Sequence, residues 1–99
     1  MTIERIIENG SVTLVLIGEL TALTAAQLSS TVKTAITETD RLVLDFKDVE
    51  YVASAGLRLL LETKNLLDNK KGKFIIRNVS QAVMQVFDIT GFSDILDLE

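Results

Sequence analysis

Residues 44–60 read LDFKDVEYVASAGLRLL and join the end of a buried strand to a connection and the start of an apolar helix. The strand is the run 42–44 with Phe46, whose continuous apolar character is typical of a central parallel strand. Residues 47–52 form the connection. We predict a helix that begins at Ser54 and ends before Gly72, and serine is a preferred residue at a helix N-cap. We therefore place Ser54 at the N-cap, with its hydroxyl at the surface.

The segment before this unit predicts a β-hairpin, with strands at 3–8 and 11–17. The pair Asn9-Gly10 between them favours a type I′ turn, because both central residues of that turn need positive φ. Along the second strand, alternating residues face the predicted core: Val12, Leu14 and Leu16. Val15 and Ile17 make its other face apolar as well, so we expect both faces of the sheet to be covered.

The first helix is predicted over residues 24–38, after a loop at 18–21. Thr24 and Gln27 fit the spacing of a capping box, and Leu23 and Leu28 that of a hydrophobic staple. One stripe of this helix is expected to be buried: Ala25, Leu28, Val32, Ala35 and Ile36.

The rest of the chain predicts two helices and a strand. The helix that starts at Ser54 has a main apolar stripe of Leu57, Leu60, Leu61 and Leu67, widened by Leu59 and Leu66. We predict that this helix ends with Lys70 and Lys71, whose charges suit the C-terminal end of the helix dipole, and with Gly72 in the left-handed conformation. A strand follows at 74–76, and Ser80 caps a third helix with an apolar face of Ala82, Val83, Val86 and Phe87, which ends at Gly91. Residues 93–98 fit a short helix or an edge strand equally well.

We predict a single α/β domain over residues 1–99, in the order β-β-α-β-α-β-α with right-handed crossovers.

Composition excludes several classes of function. The 99 residues carry a net charge of −4 and contain no histidine or cysteine. The missing side chains exclude a Ser-His-Asp or Cys-His nucleophile and a Cys/His zinc site. The acidic balance argues against nucleic acid as the main partner. The N-terminus lacks the apolar core of a signal peptide, and no run is long enough to insert into a membrane. We expect a small, soluble, cytoplasmic domain.

No motif for catalysis or for a cofactor is present. The glycines are too far apart for a phosphate-binding loop. Residues 52–56 resemble a nucleophile elbow only superficially, since the first glycine and any imidazole are missing. Asp48 and Glu50 are too few ligands for a metal site, and the cluster of Lys70, Lys71 and Lys73 fits a helix end. These residues therefore argue against a hydrolase, and we predict no cofactor and no metal.

Three segments together resemble the STAS domain of bacterial anti-sigma factor antagonists. The strand–loop–Ser-x-Gly-Leu unit around Ser54 is similar to that family's central motif, Gly18-Glu19-Leu20 to its G-E-L turn, and residues 86–92 to the end of its third helix. The resemblance covers nearly the whole chain. It implies a mixed sheet with helices packed mainly on one face, no enzymatic activity, and a protein partner.

The resemblance also implies a mechanism. Regulated members of the family are phosphorylated, on the serine that aligns with Ser54, by an anti-sigma factor with serine kinase activity that binds the ATP. The unmodified antagonist sequesters the anti-sigma factor, phosphorylation ends the binding, and a serine phosphatase would reset the switch. The expected partner-binding residues are Glu19, Leu20, Thr21, Tyr51, Val52, Ala53, Ser54, Ala55, Gly56 and Arg58.

The sequence departs from the regulated pattern at two positions. Ala53 precedes Ser54 and Thr21 follows the G-E-L turn, where those proteins commonly carry aspartate. Both changes remove negative charge beside the predicted phosphorylation site.

Three other interpretations stay open. Ser54 is an ordinary helix cap in one of them, since serine is common at that position. In another, the chain is a STAS subunit of an ABC-type lipid transport complex and docks on its ATPase without a phosphorylation cycle. In the third, the helix N-terminus binds a small anion or nucleotide.

Overall fold

A computed structural model describes all 99 residues as one α/β domain. The strands are β1 (Thr2–Glu8), β2 (Ser11–Ile17), β3 (Arg41–Asp48), β4 (Lys73–Arg77) and β5 (Asp97–Leu98). The helices are α1 (Ala22–Glu38), α2 (Ser54–Asn69) and α3 (Gln81–Thr90), followed by a short 3₁₀ turn at Phe92–Asp94. The predicted order of elements is confirmed. Residues 93–98 contain both of the predicted alternatives, because the end of the 3₁₀ turn is followed, after Ile95 and Leu96, by the edge strand β5.

The sheet is mixed and has the strand order β1-β2-β3-β4-β5. Only β1 and β2 are antiparallel, and the later neighbours pair in parallel. Asn9 and Gly10 both have positive φ, 50° and 80°, as a type I′ turn requires. The predicted hairpin is therefore confirmed.

The three helices cover one face of the sheet. Residues of all three helices share a single buried cluster with alternate residues of the strands: Val12, Leu14, Leu16, Leu42, Leu44, Phe46, Phe74 and Ile76. The rings of Phe46 and Phe87 meet in this core with their centroids 6.4 Å apart. All three helices therefore pack on the same side of the sheet.

The opposite face of the sheet is open. The expectation of helices mainly on one face is therefore confirmed, and the expectation from β2 that both faces are covered is wrong. Ile17 is exposed and Val15 is only half-buried. Val43 and Ile75 are buried on this face, but they lie on the central strands, where neighbouring strands and long polar side chains such as Arg41 and Arg77 surround them. A strand with apolar residues on both faces is thus compatible with a sheet that carries helices on one side only.

The N-cap of α1 is Thr21, three residues before the predicted cap at Thr24. The backbone N–H of Thr21 donates to Oγ1 of Thr24 at 2.7 Å, and that of Thr24 donates to Oγ1 of Thr21 at 3.3 Å. Thr24 thus supplies the second half of the capping box, and Gln27 takes no part in it. Leu23 is 82% exposed, so the predicted staple with Leu28 does not form. The predicted buried stripe is confirmed for Ala25, Leu28, Val32 and Ala35, whereas Ile36 is half-buried.

Replacing Thr21 with alanine tests this cap. We expect a loss of about 1 kcal/mol in the free energy of unfolding, because the amide of Thr24 loses its acceptor. Urea denaturation followed by circular dichroism measures the change. Ser30→Ala, at an exposed position inside α1, is the control and should leave the midpoint almost unchanged; an equal effect of the two variants would contradict the assignment.

The buried side of α2 differs from the predicted stripe. Leu59, Leu60, Thr63 and Leu67 face the core, while Leu61 and Leu66 are exposed. Thr63 is accommodated because its hydroxyl donates to the carbonyl of Leu59 at 2.8 Å. A stripe of six leucines is too wide for one contact face, so packing against α1 and β4 selects among them.

Lys71 ends α2 in the left-handed conformation, with φ 58°, in place of the predicted Gly72. The N–H of Gly72 donates to the carbonyl of Leu67 at 2.7 Å, and that of Lys71 to the carbonyl of Asp68 at 3.0 Å, which is the Schellman pattern. Gly72 is needed for a different reason, since a Cβ there would lie 2.5 Å from the carbonyl oxygen of Asp40.

The boundaries of α3 are confirmed. Oγ of Ser80 accepts from the N–H of Val83 at 3.2 Å, and Gly91 ends the helix with φ 82°. Val83 and Phe87 are buried, Val86 is half-buried, and Ala82, predicted to face the core, is exposed. None of the helices has the length and apolar character needed to cross a membrane.

Candidate functional site

Ser54 lies on the surface at the first turn of α2. The chain leaves β3 at Asp48 and enters α2 at Ser54, which is exposed. The N-cap is Ala53 rather than Ser54, and it supplies no side-chain hydrogen bond to the helix. Our prediction that Ser54 caps α2 is therefore wrong by one residue. Ser54 is the first helical residue, one position after the N-cap, from which a side chain normally satisfies the amides of the first turn.

Two loops far apart in sequence are joined beneath Ser54. The N–H of Leu20 donates to the carbonyl of Tyr51 at 2.9 Å, and the N–H of Ala53 donates to the carbonyl of Leu20 at 2.8 Å. Leu20 and Val52 thus form an isolated parallel bridge. The G-E-L turn is fastened by its backbone to the residues that lead into α2.

The predicted partner-binding residues divide into an exposed group and a buried group. Leu20, Val52 and Gly56 are buried, so we correct the expectation that these three residues belong to the binding surface. The others are exposed or half-buried, and we call them the Ser54 surface: Glu19, Thr21, Tyr51, Ala53, Ser54, Ala55 and Arg58. The buried residues hold this surface in place from below.

Gly56 allows α2 to pack closely on the G-E-L turn. A Cβ at this position would lie 2.7 Å from Cγ and 2.9 Å from Cδ2 of Leu20, and 3.0 Å from Cγ1 of Val52. Because both neighbours are buried, neither side chain has free space to move into. Any larger residue at position 56 must therefore displace the start of α2 or the turn below it.

Gly56→Ala should lower the free energy of unfolding by about 1–2 kcal/mol. Overpacking typically costs about 1–3 kcal/mol, and the better helix propensity of alanine returns at most about 1 kcal/mol. Urea denaturation measures the loss. Asn65→Ala, at an exposed position of α2, carries only the propensity term and should be neutral or stabilising; a Gly56→Ala protein as stable as this control would contradict the packing argument.

A shallow groove runs between α1 and α2 beside Ser54. It has a volume of about 170 Å³ and is lined by Ala22, Ala25, Ala26 and Ser29 of α1 and by Ala55, Arg58, Leu59 and Glu62 of α2. We call it the α1–α2 groove. Sequence reasoning did not assign the α1 residues of this groove to the site. The small residues of the first two turns of α1 were a signal, but only the packing of α1 on α2 brings them next to Ala55 and Arg58.

The other polar clusters lie away from this surface. Nζ of Lys70 is 3.1 Å from a carboxylate oxygen of Asp40 and donates to the carbonyl of Ile36 at 2.6 Å, which ties the ends of α2 and α1 together. Nζ of Lys73 is 4.0 Å from Asp97. No three acidic, cysteine or histidine side chains are grouped in a way that could hold a metal ion.

Comparison with known proteins identifies relatives over nearly the whole chain. The model of the STAS domain family matches residues 2–99. The anti-sigma-B factor antagonist of Bacillus subtilis is 36% identical over 52 residues, which cover 52% of this chain and 48% of that protein, about half its length. A protein of the same name from Listeria monocytogenes is 26% identical over 83 residues, which cover 83% of this chain and 73% of the relative.

Solved structures share the fold. The anti-sigma factor antagonist SpoIIAA in its unphosphorylated form superimposes with a TM-score of 0.83 at 23% identity, covering 99% of this chain and 88% of that one. The phosphorylated form of SpoIIAA, described as a Bacillus cell fate determinant, gives a TM-score of 0.77 at 22% identity, covering 99% and 91%. At these identities the likeness establishes the architecture alone.

Proposed function

This chain belongs to the STAS domain family, and on that premise we propose that it is an anti-sigma factor antagonist switched by phosphorylation of Ser54. The unmodified chain binds and sequesters an anti-sigma factor that carries serine kinase activity. That partner binds ATP and transfers the γ-phosphoryl group to Oγ of Ser54, which loses its proton while ADP leaves. The chain itself acts by binding, not by catalysis, and a serine phosphatase restores the unmodified form.

The observation that carries the proposal is the exposed hydroxyl of Ser54 at the first turn of α2. A kinase can reach it without unfolding the domain. A phosphate at this position meets the positive end of the helix dipole and backbone N–H groups without intrahelical partners, so the fold should tolerate it. The same fold in both forms of SpoIIAA agrees with such tolerance.

The surroundings of Ser54 suit a protein partner. Tyr51 and Leu23 are large apolar side chains that are 51% and 82% exposed, on the residues just before α2 and in the first turn of α1. Exposed aromatic and apolar side chains next to few charges are the usual composition of an interface centre. We propose that the partner contacts the Ser54 surface together with Leu23 and the α1–α2 groove.

The test is a phosphorylation assay with the anti-sigma factor encoded nearest to the gene of this chain. Incubation with that protein and ATP should add one phosphate, located on Ser54 by tandem mass spectrometry. Ser54→Ala should abolish the modification, and Ser30→Ala, at an exposed serine of α1, should leave it unchanged. Unchanged mass, or a phosphate that survives Ser54→Ala, would overturn the switch.

A pull-down from native lysate separates this function from the transport alternative. We expect an anti-sigma factor to be retained by the unmodified chain and lost with Ser54→Asp. Retention of an ATPase together with membrane components, unaffected by Ser54→Asp, would instead support a STAS subunit of a transport complex.

A further inference from the structure

Arg58 is the only cationic residue of the Ser54 surface, and it has no ionic partner within the chain. The five ion pairs are formed by other residues. Glu62 follows Arg58 by one helical turn and lines the same groove, yet the two side chains form no ion pair. A guanidinium group that carries a full charge is thus left available beside the proposed phosphorylation site.

Helix geometry places Arg58 next to Ser54. The two residues are four apart in α2, a spacing that puts their Cβ atoms about 5–6 Å apart on one side of a helix. An acidic group pairs best with a basic group four residues towards the C-terminus, since this order also agrees with the helix dipole. Phosphoserine at 54 with Arg58 has the favourable order, whereas Arg58 with Glu62 has the reverse one.

The backbone and the neighbouring residues add to this preference. Ala53 provides no side-chain acceptor for the amides of the first turn. Thr21 and Ala53 have no carboxylate that could compete for Arg58. Glu19 and Glu50 are the acidic residues of the two loops that Leu20 and Val52 join, and neither of them forms an ion pair.

We propose that Arg58 is a phosphate-binding residue that holds phosphoserine 54 in an intramolecular ion pair. The inference rests on the proposed function and adds to it a means of stabilising the modified state. The guanidinium group offers planar, paired N–H donors that match two phosphate oxygens. In the modified chain, Arg58 thus supplies the positive charge that would otherwise have to come from solvent or from a partner.

The test installs phosphoserine at position 54 during translation through a reassigned stop codon, so no kinase is needed. Titration followed by ³¹P NMR gives the second pKa of the phosphate, which is about 6 without a partner group. An adjacent cation favours the dianion, so the proton affinity should be about threefold or more lower in the native chain than in Arg58→Gln. Arg58→Lys should give an intermediate value, because lysine keeps the charge but not the fork of donors.

The matched control is Arg41→Gln, which changes the net charge equally. Arg41 is the first residue of β3, whereas the chain reaches Ser54 from the other end of that strand. This variant should leave the proton affinity of the phosphate unchanged. Equal values for the native chain and Arg58→Gln, or an equal shift with Arg41→Gln, would overturn the proposal.

Thermal unfolding provides a second measurement. Phosphoserine at 54 should raise the melting temperature of the native chain more than that of the Arg58→Gln variant. An equal change in both backgrounds would contradict the ion pair. Neither measurement involves a partner, so a failure here is distinct from a failure to find phosphorylation or binding by the anti-sigma factor.

Discussion

Phosphoserine at position 54 should weaken binding to the anti-sigma factor by more than about a hundredfold. The modification adds about −1.5 to −2 charges to a domain whose net charge is already −4. A partner packed on the Ser54 surface would have to desolvate or repel that group, and a loss of roughly 3 kcal/mol corresponds to this change in affinity. Isothermal titration calorimetry with the unmodified and the phosphoserine-containing chain measures it.

The control places the same charge elsewhere on the same helix. Phosphoserine installed in place of the exposed Asn65 lies about 16 Å along α2 from Ser54, at 1.5 Å per residue. This control should change the affinity for the anti-sigma factor by no more than a few-fold relative to the unmodified chain. If both phosphorylated chains lost affinity equally, the effect would be one of overall charge and the Ser54 surface would not be the interface.

Leu20→Ala should reduce the free energy of unfolding by about 2–5 kcal/mol, the range for truncating a buried leucine. Leu20 is fully buried, and its side chain fills the space beside Gly56 and Val52 at the start of α2. The truncation leaves a cavity at the point where the G-E-L turn is fastened to the residues before Ser54. Urea denaturation with linear extrapolation measures the loss.

Leu23→Ala is the matched control, since it removes the same atoms three residues away from a side chain that is 82% exposed. It should change stability by no more than about 0.5 kcal/mol. A similar loss in both variants would mean that Leu20 does not carry the packing that the structure assigns to it.

Local signals in the sequence were sufficient for much of the fold. The Asn9-Gly10 turn, the cap at Ser80 and the end of α3 at Gly91 each depend on backbone geometry within a few residues. The error at the start of α1 arose because two residues fit the same local role. Thr21 and Thr24 both fit an N-cap, and only the chain path out of β2 selects Thr21.

The candidate site was predicted in part. Ser54 is at the start of α2 and exposed, but Ala53 holds the cap position, because the bridge between Leu20 and Val52 sets where the helix can begin. The α1 side of the groove was missed. Its alanines carry no chemical signal, and their role depends on which helix packs against them.

The amino-acid order therefore determined the elements, their sequence along the chain and an exposed serine at a strand–loop–helix junction, since these depend on short-range hydrogen bonds and on hydrophobic periodicity. Packing in three dimensions determined that Leu20 lies beneath Gly56, that Arg58 is left without a carboxylate partner, and that one face of the sheet is open. The contact between Leu20 and Gly56 joins segments that are far apart in the sequence. Its free energy depends on shape and burial across the core, which no local pattern encodes.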